Sequence, residues 1–240
     1  MHEGERGHQA AVLGALICIG LALLGLFISQ GVVRLRALDR VVTVKGLSEK
    51  EVPADIAIWP IKFSAASNDL SALYTDVQRK NDLIVEFLRE NGFGDKEITL
   101  SVPSTSDRLA QGYGGRDDAE FRYYGDSVIT VYTSQVGLVR EAMSRIADLG
   151  KQGIAISGQD YGSRTEFLFT GLNDIKPEMV EEATRNARAV AEKFADDSDS
   201  RLGKIKTARQ GQFSIQARDS TTPHIKKVRV VSTITYYLAD

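Results

Sequence analysis

VRVVSTITYYL (residues 228–238) is the stretch from which the fold is read. Ile234, Tyr236 and Leu238 fall on one face and Thr233, Thr235 and Tyr237 on the other, the two-residue period of a strand with one face in a core. Upstream of it, residues 205–215 form a companion strand, and residues 175–195 change to helical spacing. In that helix Met179, Ala183, Ala187, Val190 and Phe194 are expected to face inward. Pro177 suits its first turn, and Glu178, Glu181 and Glu182 suit the positive end of its dipole.

The same alternation of periods continues toward the N-terminus. Residues 69–91 place Leu70, Leu73, Val77, Ile84 and Leu88 on one helical face, with Asn68 as cap and Gly92 as stop. Residues 136–149 form a second helix, with Val139, Met143 and Ile146 together and Gly150 at its end. Strands are expected at residues 41–44, 55–63, 98–103, 121–133, 154–157 and 166–169. Pro60 cannot donate to a ladder, which puts its strand at an edge or gives it a bulge. Glu49, Lys50 and Glu51 read as the turn of a hairpin between the first two strands. The resulting order, ββ-α-ββ-α-ββ-α-ββ, defines an α+β fold with three helices packed on mainly antiparallel sheet. The first helix with its trailing strand pair resembles the third with its own, so the domain reads as two pseudo-related halves.

Residues 10–28 carry no charge at all. As a helix they rise about 28 Å, against roughly 30 Å for the hydrocarbon core of a bilayer. This divides the chain into a tail (1–9), a transmembrane anchor (10–30), a linker (31–40) and an α+β domain (41–240). The membrane partner is residues 10–28. A cleaved signal peptide is the alternative, with Ser29, Gln30 and Gly31 offering small residues at a cleavage site. Arg34, Arg36, Arg40 and Lys45 on the far flank outnumber Arg6 on the near one, yet long domains cross largely regardless of charge. Charge therefore leaves the side of the membrane open.

A net charge of −2 gives no electrostatic footprint for nucleic acid. Cys18 is the single cysteine and lies in the apolar run, so the domain has no thiol, disulfide or cysteine metal ligand. His224 is its single histidine and reads as a loop residue; no G-x-S-x-G surrounds a serine, and zinc has no ligand set. Asp196, Asp197 and Asp199 lack the spacing of a calcium loop and read as a solvated helix end. The glycine segment at residues 111–118 leads into a strand and not a helix, so it is a hairpin tip and not a phosphate loop. Tyr113 and Arg116 in that tip are residue types that interfaces favour, and Trp59 joins them as a candidate contact residue. Trp59, Tyr123, Tyr124, Tyr236 and Tyr237 suit core or half-buried sheet positions first, and an interface or ligand platform second. No catalytic residue, cofactor or metal site is expected.

VVTVKGLSEKEVPADIAIW (residues 41–59), NGF (91–93), DKEITLSVPS (95–104), RYYGDSVITVYT (122–133), EEATRNARAVAEKFA (181–195) and LGKI (202–205) occur in this order before the terminal strand. This series resembles the SIMPL-domain family of bacterial envelope proteins over residues 41–238. The resemblance implies an α+β domain on the periplasmic side, behind a signal or anchor. It also implies assembly, since some members form large rings or channel-like oligomers. The family has no established activity, only associations with envelope and oxidative stress, and it offers no catalytic residue to carry over. The chain departs from it at ADDSDSRLGK (residues 195–204), where members more often have an apolar Gly-Val turn. The expectation is a single-pass protein of the bacterial inner membrane with its domain in the periplasm. It is not an enzyme, and it acts by homo-oligomeric assembly or by contact with envelope proteins. The alternative is a periplasmic module for a small molecule or peptide, with a pocket lined by Trp59 or the tyrosines.

Overall fold

The computed structural model describes residues 14, 16–29, 40–110, 120–157 and 164–239. In chain order the elements are β1 (Val41–Pro53), β2 (Ile56–Ser67), α1 (Leu70–Glu90), β3 (Ile98–Leu100), β4 (Ser104–Asp107), β5 (Tyr123–Thr133), α2 (Val136–Arg145), α3 (Ala147–Lys151), β6 (Glu166–Leu168), α4 (Leu172–Asp197), β7 (Arg201–Gln210), β8 (Ser214–Ala217) and β9 (Ile225–Ala239). The fold is α+β, with two antiparallel sheets. Residues 16–29 are also helical, with exposed side chains. Among the described residues no helix is long and apolar enough to cross a membrane, and the remainder of the expected anchor lies outside them.

The chain forms two compact units, one of Met1–Ser48, Pro177–Phe213 and Arg229–Asp240, the other of Glu49–Lys176 and Ser214–Val228. In the second unit the sheet order is β3-β5-β2-β6, with β4 also on β5. β2 and β5 pair from Ala57↔Thr133 to Ser67↔Tyr123. Alternate residues Trp59, Ile61 and Phe63 of β2 and Ile129 and Val131 of β5 turn one face into the core. Leu73, Val77, Ile84 and Leu88 of α1 and Val139 of α2 join that core. Each large side chain buried there contributes about 1.5–3 kcal/mol. Ser127 Oγ donates to Asn81 Oδ1 inside the unit (3.0 Å), and Lys80 Nζ, largely buried, donates to Ser64 O and pairs with Asp76.

In the first unit the order is β1-β9-β7, with β9 central. Leu238 N donates to Arg40 O and Thr43 Oγ1 faces Thr235 Oγ1, so β1 and β9 run in opposite directions. β8 pairs β9 where β9 begins, within the second unit. Val44, Ile234 and Tyr236 meet Ala187 and Ala191 of α4. The buried stripe of α4 is Met179, Ala183, Ala187, Ala191 and Ala195, one small residue per turn. Gly46 is required by this approach, because a Cβ there would lie 1.8 Å from Ala183 O.

Several sequence expectations change. Val190 and Phe194 stay exposed because the stripe repeats every fourth residue from Met179 and does not step by three at Ala187. Asp69, not Asn68, caps α1, its carboxylate accepting from Ala72 N at 2.7 Å. β1 runs through Glu49–Glu51 to Pro53 and does not form a hairpin with β2, since the two belong to different sheets. That segment holds no residue suited to a tight turn, whereas Pro53-Ala54-Asp55 does. The expected second helix breaks at Ile146 into α2 and α3, giving four helices among the described residues from 40 onward, and Gly153 at φ 82° ends it in place of Gly150. β2 is an inner strand without a bulge at Pro60, but β6 reaches only Ile56–Ile58, so among the described residues Pro60 has a ladder partner on one side only and lies at a locally open edge, as expected.

Candidate interaction surface

β3 and β4 together form one edge of the second unit's sheet, both pairing with β5. Between Leu100↔Ile129 and Ser104↔Asp126 the register slips by one residue. Ser101 holds the break, its N and Oγ both donating to Val128 O (3.0 and 2.6 Å). Pro103 has no N–H to offer. Val102 is thereby pushed out of the sheet to 92% exposure, and Leu109, just beyond β4, is 73% exposed. Tyr74 of α1 is exposed beside the same edge, its hydroxyl 3.2 Å from Thr105 Oγ1.

The β4–β5 hairpin is fixed at its base by a charged fork. Arg122 reaches both oxygens of Asp107 through Nε (3.2 and 3.3 Å) and Nη2 (2.8 Å to Oδ2). The hydrogen bond from Arg122 holds the Asp107 carboxyl below its usual range, and the same bond raises the guanidinium. Asn68, released from capping, donates to Glu120 O and accepts from Arg122 N. The Arg122 guanidinium lies 4.7 Å from the Tyr123 ring centroid, and that of Arg108 lies 4.3 Å from Tyr124. Two arginine-on-tyrosine stacks thus stand next to an uncharged edge with protruding Val102 and Leu109. Arg, Tyr and exposed apolar side chains in one place are the composition of a contact surface.

Tyr113 and Arg116 lie outside the described residues. Trp59 is 2% exposed, its ring 6.3 Å from that of Phe93. It fills the core on the inward face of β2, which agrees with the first reading of Trp59 and corrects its alternative as a contact or pocket-lining residue. Tyr236 is likewise buried, while Tyr237 lies under Lys206. His224 is half-buried, its ring edge-on to Phe167 at 6.1 Å. Burial, then Arg140 and Arg218, lower its pKa. Nearby, Asp219 accepts from Thr221, Thr222 and Arg218, hydrogen bonds that depress its carboxyl strongly. Asp196, Asp197 and Asp199 end α4, and among the described residues no group of three or more His, Cys, Asp or Glu is placed to hold a metal. Val102 and Leu109 are exposed apolar residues that sequence reasoning did not single out. The signal was available as an uncharged run, residues 98–106, interrupted by proline.

Two antiparallel sheets, each with helix packed on one face, define an α+β protein. The chain belongs to the SIMPL family, whose sequence model, described as "Protein of unknown function (DUF541)", matches residues 42–236. No curated protein matches the chain.

Proposed function

We infer that this SIMPL protein is anchored in the inner membrane by residues 10–30, holds its domain in the periplasm, and acts by assembly with copies of itself or with envelope proteins rather than by catalysis. The observation that carries this reading is the β3–β4 edge, where Val102 and Leu109 project beside the Arg108–Tyr124 and Arg122–Tyr123 stacks. The test is the mass of the full chain extracted in mild detergent. The expected result is an oligomer that Val102→Asp with Leu109→Asp reduces to a monomer while circular dichroism is unchanged. A monomeric wild type with no co-purifying envelope protein refutes the reading. A reporter joined after Asp240, with N-terminal sequencing of the mature chain, tests the anchor and the side of the membrane separately.

A further inference from the structure

The first unit divides its charge between its two layers. Its strand segments, residues 41–48, 201–210 and 229–239, hold six Lys and Arg and no acid. Its helix layer, residues 177–197 of α4, holds six acids against three bases. The helix covers one face of the sheet only. Val44, Ile234 and Tyr236 turn toward it, so their neighbours along each strand turn away. On that second face Thr43, Lys45, Leu47 and Tyr237 are exposed, Leu47 at 41% and Tyr237 at 38%.

Two rows cross this face. Thr43 Oγ1 meets Thr235 Oγ1 at 2.9 Å, and Thr235 pairs with Thr207 of β7. Two residues along each strand, the same register sets Lys45 beside Thr233, which pairs with Arg209. Strands lie about 4.8 Å apart, so the backbones of Lys45 and Arg209 stand about 10 Å apart across the row. Lys206 lies over the Tyr237 ring at 5.2 Å and adds a third cation. Farther along β1, Glu49 is engaged by Lys227 at 2.7 Å. Among the described residues Lys45 and Arg209 meet no carboxylate. Cations and hydroxyls with no acid among them select an anion. Spread over three strands and bordered by exposed Val41, Leu47 and Tyr237, they suit a plane of phosphate headgroups better than a single phosphate. We propose that the open face of β1, β9 and β7 lies on an anionic lipid surface, with Lys45, Lys206 and Arg209 on headgroup phosphates and Tyr237 at the interface. The choice of lipid over another polyanion rests on the reading that residues 10–30 hold the chain at a membrane, since β1 begins within about 40 Å of extended chain from that run. Each Lys or Arg near such a surface strengthens binding about fivefold, and salt screens the attraction over about 10 Å at 0.1 M.

The test uses the full chain with Cys18→Ser and one fluorophore, on Thr207→Cys of the open face or on Ala189→Cys of α4, both exposed positions. The chain is placed in nanodiscs of phosphatidylcholine alone or with phosphatidylglycerol, each with a headgroup-linked quencher. At low salt the Thr207→Cys label is expected to be quenched about fivefold more in the anionic discs, and the Ala189→Cys label equally in both. High salt, or Lys45→Glu with Arg209→Glu, is expected to remove the difference. Equal quenching of the Thr207→Cys label in the two lipids, or an equal response at Ala189→Cys, overturns the proposal. A chain that does not enter discs refutes the anchor instead. The face is then read by co-sedimentation with vesicles of the same two compositions, where pelleting with the anionic ones alone supports the proposal and no preference overturns it. A label shielded by single-stranded DNA and indifferent to anionic lipid assigns the face to nucleic acid and also overturns it.

Discussion

The two sheets are both antiparallel and differ in how they are filled and how they end. In the second unit, rings and branched side chains such as Trp59, Phe63, Ile84 and Ile129 stand between sheet and helix. In the first, alanines on α4 meet Gly46, and backbone comes almost against backbone. Large side chains tolerate some rearrangement around a loss, whereas a backbone contact has nothing that can move aside. The edges differ too. β7 carries Arg201, Lys204, Lys206 and Arg209 with no acid and shifts register twice, a strand guarded by charge. The β3–β4 edge has no charge from residue 98 to 106 and is guarded only by its break at Ser101–Pro103. A break stops strand addition but leaves apolar side chains available for other contacts.

Gly46→Val attacks the tighter packing directly. With a Cβ 1.8 Å from Ala183 O, the helix must leave the sheet, and the first unit is expected to lose its cooperative unfolding transition altogether in calorimetry. Phe63→Ala, at full burial in the other core, is expected to cost about 3–5 kcal/mol in urea unfolding yet leave a folded protein. If Gly46→Val proves the milder of the two, the contrast between the packings fails. His224 separates the units by pH. Its pKa is lowered on folding, so the folded state takes up its proton less readily than the unfolded chain. Its contribution is therefore complete above 6.5 and is lost as pH falls below that value through the folded pKa. Urea midpoints on either side of 6.5 should show this slope in the wild type and a flatter one in His224→Gln. The smallest effect on stability belongs to β7. Replacing Lys204, Lys206 and Arg209 by Thr is expected to shift unfolding by less than about 0.5 kcal/mol but to increase aggregation by light scattering. Unchanged solubility would remove charge as the guard of that edge.

The strands and long helices were legible because their periods are long and clean, as in β9 and in the Leu73, Val77, Ile84 and Leu88 face of α1. Inward and outward on α4 were not. An alanine stripe and a Val190–Phe194 pair lie on neighbouring faces of one helix, and hydrophobicity ranks the wrong face first when the partner strand offers a glycine. The β1–β2 separation was hidden for a similar reason, since local pattern marks strands but not which sheet each enters. For the candidate surface, composition suggested Tyr113 and Arg116, while the uncharged run around Val102 marked a segment whose exposure is set by the one-residue slip in register. Trp59 misled because a large amphipathic ring suits a core and a contact equally until its burial is known.

β9 is the last strand of the chain and the middle strand of its sheet. A ribosome therefore releases β1 and β7 well before either has the neighbour it pairs with. Sheet formation in the first unit waits for the final residues, and contacts such as Arg40 with Leu238 close nearly the whole length of the chain. The second unit's long β2–β5 pairing is complete once residue 133 has emerged. Synthesis thus sets an order, with the β2–β5 pairing available early and the other sheet only once its central strand β9 has been made.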